Sequence, residues 1–184
     1  PAHNGPLNPE YERDLKSRYR THRAEARKSL FGVPWKLNEQ TAMSVSKEER
    51  VAKFEEAWKV GGATAMLTSY IDLLMDEKAN AEAADFVRAK IRSIVKDPKV
   101  ADLLCPTDHP IGTKRICVDT NYYATFNRPN VHLVDTNGKG VERITERGVV
   151  VAGKEYALDC LIYSTGFEVG TDYSRRIGME ITGR

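Results

Sequence analysis

The densest group of chemically capable side chains is Asp108-His109-Pro110-Ile111-Gly112-Thr113-Lys114-Arg115. A Gly-Thr turn lets the backbone come close to a ligand, and two adjacent cations follow it. On an extended segment neighbouring side chains point to opposite sides, so Lys114 and Arg115 can serve different groups. Lysine is a compact point charge suited to a phosphate. Arginine is always ionised and presents a planar fork, which stacks on a flat ring or steadies an anion. On spacing alone the same four residues favour the plainer reading, two exposed cations at the start of a strand.

The other candidates carry weaker signals. His3, His22, His109 and His132 show no metal-ligand spacing. Cys105, Cys117 and Cys160 are widely spaced, odd in number and lack a CxxC. That pattern predicts reduced structural thiols in a cytoplasmic protein, without a zinc site or a disulfide framework. Ser164 lacks a nucleophile elbow, because Thr165-Gly166-Phe167 does not complete GxSxG. Tyr122, Tyr123 and Phe126 are expected to pack, and Asp119 and Asp135 to serve as turn or cap residues.

These residues need a folded frame, and the composition provides for one. The chain has 184 residues, 41% of them hydrophobic and 29% charged, with a net charge of +2. A wholly disordered, collagen-like or membrane-spanning chain is excluded, and nothing near Pro1 resembles a signal peptide. Before Cys105 there are 18 basic and 16 acidic residues, and after it 10 of each. Neither half carries a field that argues for nucleic acid or an anionic membrane.

The first 105 or so residues read as helical. Asn8-Pro9 is a cap followed by proline at the first helical position. Phe31 to Lys36 breaks that helix. Ser46-Lys47-Glu48-Glu49 is a capping box for a second helix, stopped at Gly61-Gly62. A third is predicted over Thr64 to Asp76 and a fourth from a cap at Asn80, with Ala83, Phe86, Val87 and Ile91 in its stripe. Asp97-Pro98 opens a short last one. The pattern then changes. Val131 to Val134 and Leu161 to Tyr163 read as buried strands, flanking antiparallel pieces at Val141–Ile144, Gly148–Val151 and Glu155–Ala157. Strand, meander, strand and a small-residue exit is how the back half of a dinucleotide-binding domain closes. The GxGxxG that opens such a domain is absent, so the fold class is α/β: a helical subdomain followed by the closing half of a Rossmann-like domain.

Taken together, Gly112-Thr113-Lys114-Arg115, the run Asn121-Tyr122-Tyr123 to Asp135, and Asp159-Cys160-Leu161-Ile162-Tyr163-Ser164-Thr165-Gly166-Phe167 resemble type I Baeyer–Villiger monooxygenases. The helical half is similar to the insert those flavoenzymes carry in their NADP domain. The resemblance implies tightly bound FAD, reduction by NADPH, and a C4a-peroxyflavin that converts a ketone to an ester or lactone with one oxygen of O₂. It further implies that Arg115 is the catalytic arginine beside flavin and nicotinamide, where a fixed cation stabilises the developing oxyanion. Lys114 matches the lysine that favours NADPH over NADH, with Gly112 and Thr113 beside it. Ser164-Thr165-Gly166 matches a linker motif, with Thr165 and Gly166 near cofactor and serine standing where the family has alanine.

Both phosphate loops of the family, its fingerprint motif and the acidic partner of its arginine have no counterpart in these residues. The resemblance therefore implies a central piece of a longer cytoplasmic enzyme, inactive alone, whose partners are the remaining FAD-domain segments, a small ketone and O₂. Residues 1–105 would be the helical insert, 106–167 the closing half of the NADP-binding domain and 168–184 the start of the return to the FAD domain. Two other readings stay open: another class B flavin monooxygenase, oxidising nitrogen or sulfur, and a non-catalytic helical interaction module.

Overall fold

The computed structural model describes residues 6–29, 32, 37–117, 119–166, 178 and 182–183. All but Gly32 of the helix breaker expected at 31–36, Phe167 and most of the tail at 168–184 lie outside them. Contacts gather into two units, one ending at Leu133 and one beginning at Val134. Residues 106–133 therefore pack with the helices, although the composition changes at Cys105.

The first unit is helical, and its caps are those its sequence spells out. Helix α1 (Pro9–Ser17) starts at Asn8, whose Oδ1 accepts the Glu10 N–H at 2.8 Å. It hands over at Arg18 to α2 (Tyr19–Ala26). Helix α3 (Lys47–Val60) starts where Ser46 Oγ accepts the Glu49 N–H, and ends at Gly61, whose φ of +79° suits glycine. The third helix is shorter than expected: α4 covers only Gly62–Leu67. Thr68 Oγ1 and Ser69 Oγ donate back to the Thr64 and Met66 carbonyls, closing the helix end. The chain then pairs with residues 38–42 instead, through Ile71 N to Gln40 O and Ala42 N to Asp72 Oδ1. That turn drives Tyr70 and Leu73 into the core, where Tyr70 meets Phe54 edge-on at 5.8 Å.

Helix α5 (Glu77–Ile94) is capped by Asp76, not by Asn80 as the sequence suggested. Its stripe seals one cluster with Phe54, Tyr70 and Leu73 and begins a second, in which Ile91, Val95, Ala101 and Cys105 take up Tyr123 and Phe126. Asp97 caps α6 (Pro98–Leu104) by accepting from Lys99 and Val100, and a single turn, α7 (Tyr122–Thr125), closes the unit. Arg50 of α3 is the one buried arginine among the described residues. Its guanidinium donates to the carbonyls of Ala42 at 2.8 Å and Val45 at 3.2 Å, and pairs with Glu82 of α5 at 3.2 Å.

The second unit holds an antiparallel meander, β1 (Arg143–Thr145), β2 (Gly148–Val151) and β3 (Lys154–Ala157), in the order β1-β2-β3. Ile144 faces Val149, and Val149 faces Tyr156. The meander agrees with the sequence reading; the two flanking strands do not form. Residues 131–134 and 161–163 pair with no strand among the described residues. Leu161, Ile162 and Tyr163, expected to be buried, are 38%, 81% and 66% exposed. An apolar run becomes a buried strand only where neighbouring strands satisfy its backbone, and none lies beside it here. The architecture is thus α/β with a three-stranded antiparallel sheet. No helix among the described residues is long and apolar enough to cross a membrane.

Candidate functional site

The segment from Pro106 to Cys117 has no regular structure, so its position rests on individual contacts. Arg88 of α5 donates through Nε to the Pro106 carbonyl at 2.8 Å. Asn80, one helical turn inside α5, accepts the Ile111 N–H at 3.0 Å and donates to the Ile111 carbonyl at 2.9 Å. Thr113 closes a turn on Pro110, its hydroxyl donating to that carbonyl at 2.7 Å. Between them Gly112 lies against Leu67 and Leu74 at a φ of +94°.

Held in this way, the segment walls a cavity of about 490 Å³. The opposite wall is apolar, with Trp58 and Met66 from the α3–α4 corner, Ile91 from α5 and Tyr123 from α7. Lys114 and Arg115 stand on its edge, with Arg88 and His109 nearby. The volume suits a small molecule or part of a dinucleotide. Lys114 is 67% exposed, and its Nζ is 3.5 Å from Asp108 Oδ2. Arg115 makes no side-chain hydrogen bond or ion pair among the described residues, so its fork remains available to an anion.

Asp108 is the local counter-charge. Its Oδ1 lies 2.6 Å from His109 Nδ1. The His109 hydrogen bond, a backbone hydrogen bond and the Lys114 charge hold the carboxyl below the usual carboxylate range. A lowered carboxyl contributes stability above its unfolded value, near pH 4, and loses it as pH falls through the folded value. The expected result is a small difference in melting temperature between the native chain and Asp108→Asn at pH 7. It should shrink to nothing on acidification; a difference constant with pH would remove Asp108 from this role.

Four of the sequence-derived site residues, Gly112, Thr113, Lys114 and Arg115, come together on this segment, and three of them line the cavity. Thr165 and Gly166 belong to the second unit and are exposed there. Tyr123 and Phe126 pack as expected, and Asp119 accepts the Tyr122 N–H as a turn residue does. Burial pushes the Cys105 thiol and the Tyr123 hydroxyl up. Sequence reasoning missed Asn80 and Arg88. Asn80 carried a readable signal, because it occupies the same stripe as Ala83, Ala84, Val87 and Ile91 and is the polar residue among them. Among the described residues no group of His, Cys, Asp and Glu is placed to hold a metal ion.

No family model matches the chain. Among curated proteins it is 40% identical over 189 residues to cyclohexanone 1,2-monooxygenase of an Acinetobacter species, covering 100% of this chain and 34% of that protein. It is 39% identical over 187 residues to phenazine N-monooxygenase PhzNO1 of Lysobacter antibioticus, again over 100% of this chain and 34% of the relative. A protein of Pseudooceanicola batsensis named simply Baeyer-Villiger monooxygenase is 34% identical over 187 residues, covering 100% and 33%. The crystal structure of OTEMO in complex with FAD and NADP superposes with a TM-score of 0.86 at 40% identity, over 91% of this chain and 31% of that one. These residues are homologous to a segment of type I Baeyer–Villiger monooxygenases.

It spans about a third of the length of the curated relatives it matches. At Gly112 an added side chain would press on the ends of two leucine side chains. A Cβ there would lie 2.7 Å from Leu74 Cδ2 and 3.1 Å from Leu67 Cδ2, at a backbone angle that L-residues avoid. Gly112→Ala is expected to cost about 1–3 kcal/mol, read as a melting temperature several degrees lower. An unchanged melting temperature would show that the two leucines yield freely.

Proposed function

We propose that these residues act within a longer FAD- and NADPH-dependent Baeyer–Villiger monooxygenase that inserts one oxygen of O₂ into a ketone, giving an ester or lactone. The observation that carries this reading is the pair Lys114 and Arg115 on the edge of a largely apolar cavity walled by the helices. NADPH fits the donor set: Lys114 offers an exposed point charge for a phosphate, and Arg115 an unpaired planar fork. No described residues form the strand–glycine loop–helix that cradles the FAD pyrophosphate, so segments outside these 184 residues hold it in this reading. When bound, the flavin and NADPH together supply the reducing electrons and the activation of O₂.

What this chain's residues do is bind, orient and stabilise. Lys114 holds the phosphate end of the coenzyme, and Gly112 and Thr113 set the turn that presents it. Arg115 places a permanent positive charge where the reacting carbonyl oxygen becomes negative. Thr165 and Gly166 serve as a small-residue linker that contacts cofactor. Residues 1–105 are the helical insert, 106–167 the closing half of a Rossmann-like NADP domain and 168–184 the start of the return to the FAD domain, in a cytoplasmic enzyme.

The test is the full-length monooxygenase carrying these residues, given NADPH, O₂ and a panel of cyclic ketones. Lactone formation is expected, with no oxygenated product from the 184 residues alone. The similarity to a phenazine N-monooxygenase favours a second reading, heteroatom oxidation. N-oxides from aromatic amines, with ketones left untouched, would replace the first reading with the second.

A further inference from the structure

The contacts of Asn80 are unusual for a residue inside a helix. Its side chain is buried, 9% exposed, and three of its bonding positions are used. Nδ2 donates to the Leu73 carbonyl at 2.8 Å and to the Ile111 carbonyl at 2.9 Å, and Oδ1 accepts the Ile111 N–H at 3.0 Å. One amide thus takes both backbone groups of Ile111, as a neighbouring strand would, in a stretch with no strand to do so. Asparagine is a poor helix former, and at a stripe position an alanine or leucine would extend the apolar face. Stability of α5 alone gives no reason for it.

Its partners supply one. Ile111 is pinned at both backbone groups and its side chain packs against the main core cluster. Gly112 follows in close contact with Leu67 and Leu74, and Lys114 and Arg115 come next. Lys114 and Arg115 lie three and four residues on, a reach of about 11 and 14 Å at most, so fixing Ile111 restricts where the two cations stand. Arg88, eight residues further along the same helix, holds the other end of the segment at Pro106.

We propose that Asn80 is a positioning residue for Lys114 and Arg115, acting through Ile111, with Arg88 as the second anchor on the same helix. The consequence for catalysis rests on the function proposed above; the clamp itself does not. Asparagine is required by chemistry. Aspartate would lose both donors and bury a charge, and leucine would leave three backbone groups without partners.

The test has two arms, each comparing Asn80→Leu and the milder Asn80→Ser with Phe54→Leu. Phe54 lies in the core and does not line the cavity, so its variant supplies a matched loss of melting temperature. In the first arm, hydrogen exchange on the 184-residue chain should quicken at the Ile111 amide by about tenfold or more in the Asn80 variants, as loss of one buried hydrogen bond predicts. Amides of α3 should be unaffected beyond the Phe54→Leu level. Equal Ile111 exchange in all three variants overturns the clamp. In the second arm, the full-length monooxygenase should show a KM for NADPH raised by about tenfold, the same fold-change, and less ester per NADPH consumed. Phe54→Leu should move neither. Identical coenzyme KM and ester yield in Asn80→Ser and Phe54→Leu, with faster Ile111 exchange, overturns the positioning role. A native enzyme that makes no ester from any ketone refutes the proposed function instead, and the exchange arm still decides the clamp.

Discussion

Replacing Arg115 with alanine in the full-length monooxygenase should lower ester formation by about 10²–10³-fold, the usual cost of deleting one preorganised oxyanion donor. NADPH should still reduce the flavin, because Lys114 stays in place to hold the coenzyme phosphate. Arg115 suits this role because its fork is committed to nothing: it makes no side-chain hydrogen bond or ion pair among the described residues, and it borders an apolar cavity. Arg115 is exposed in this chain, so its charge gains full strength where bound cofactor covers it from water. Arg115→Lys keeps the charge and loses the planar fork, so partial recovery is expected. Ester formation within threefold of native in the alanine variant would remove Arg115 from the reaction.

Arg50→Ala should be the most damaging single change to the helical unit. Its guanidinium serves the Ala42 and Val45 carbonyls at the two ends of the short 3-10 turn Ala42–Ser44 and pairs with Glu82 across to α5. Removing one partner of a buried ionic network typically costs about 3–5 kcal/mol, because the groups left behind keep no partner. For a chain of this length that corresponds to a melting temperature about 10 °C lower. Glu82 is 39% exposed at its side chain, so Glu82→Gln should cost about 1 kcal/mol or less. If Arg50→Ala melts within 2 °C or so of native, solvent must already reach those carbonyls, contrary to the burial described.

The contrast between these two arginines shows what the sequence made legible. Arg115 was found because its neighbours form a recognisable local string, Gly-Thr-Lys-Arg. Arg50 and Asn80 were not, since their partners lie far along the chain: Asn80 meets Ile111 across 31 positions and Arg50 meets Glu82 across 32. Helix caps were legible for the same reason in reverse. Asn8, Ser46 and Asp97 bond to N–H groups two or three residues away, and residue type alone predicts such bonds. The hairpins of the meander are equally local. The end of α4 was not local, because the choice between another helical turn and pairing with residues 38–42 depends on a remote segment. The runs at 131–134 and 161–163 have strand-like residues, but a strand also requires a neighbour, and composition cannot supply one.

That last point has a colloidal consequence. Leu158, Leu161, Ile162 and Tyr163 present apolar side chains to water, and no strand among the described residues pairs 161–163. Such a stretch is a template for chain-to-chain pairing, and natural proteins blunt it with charge. Here the nearest charge is Asp159. Anyone concentrating these 184 residues by themselves is therefore working against self-association at one short run. A lysine at Ile162, the most exposed of the four, is the economical place to begin countering it.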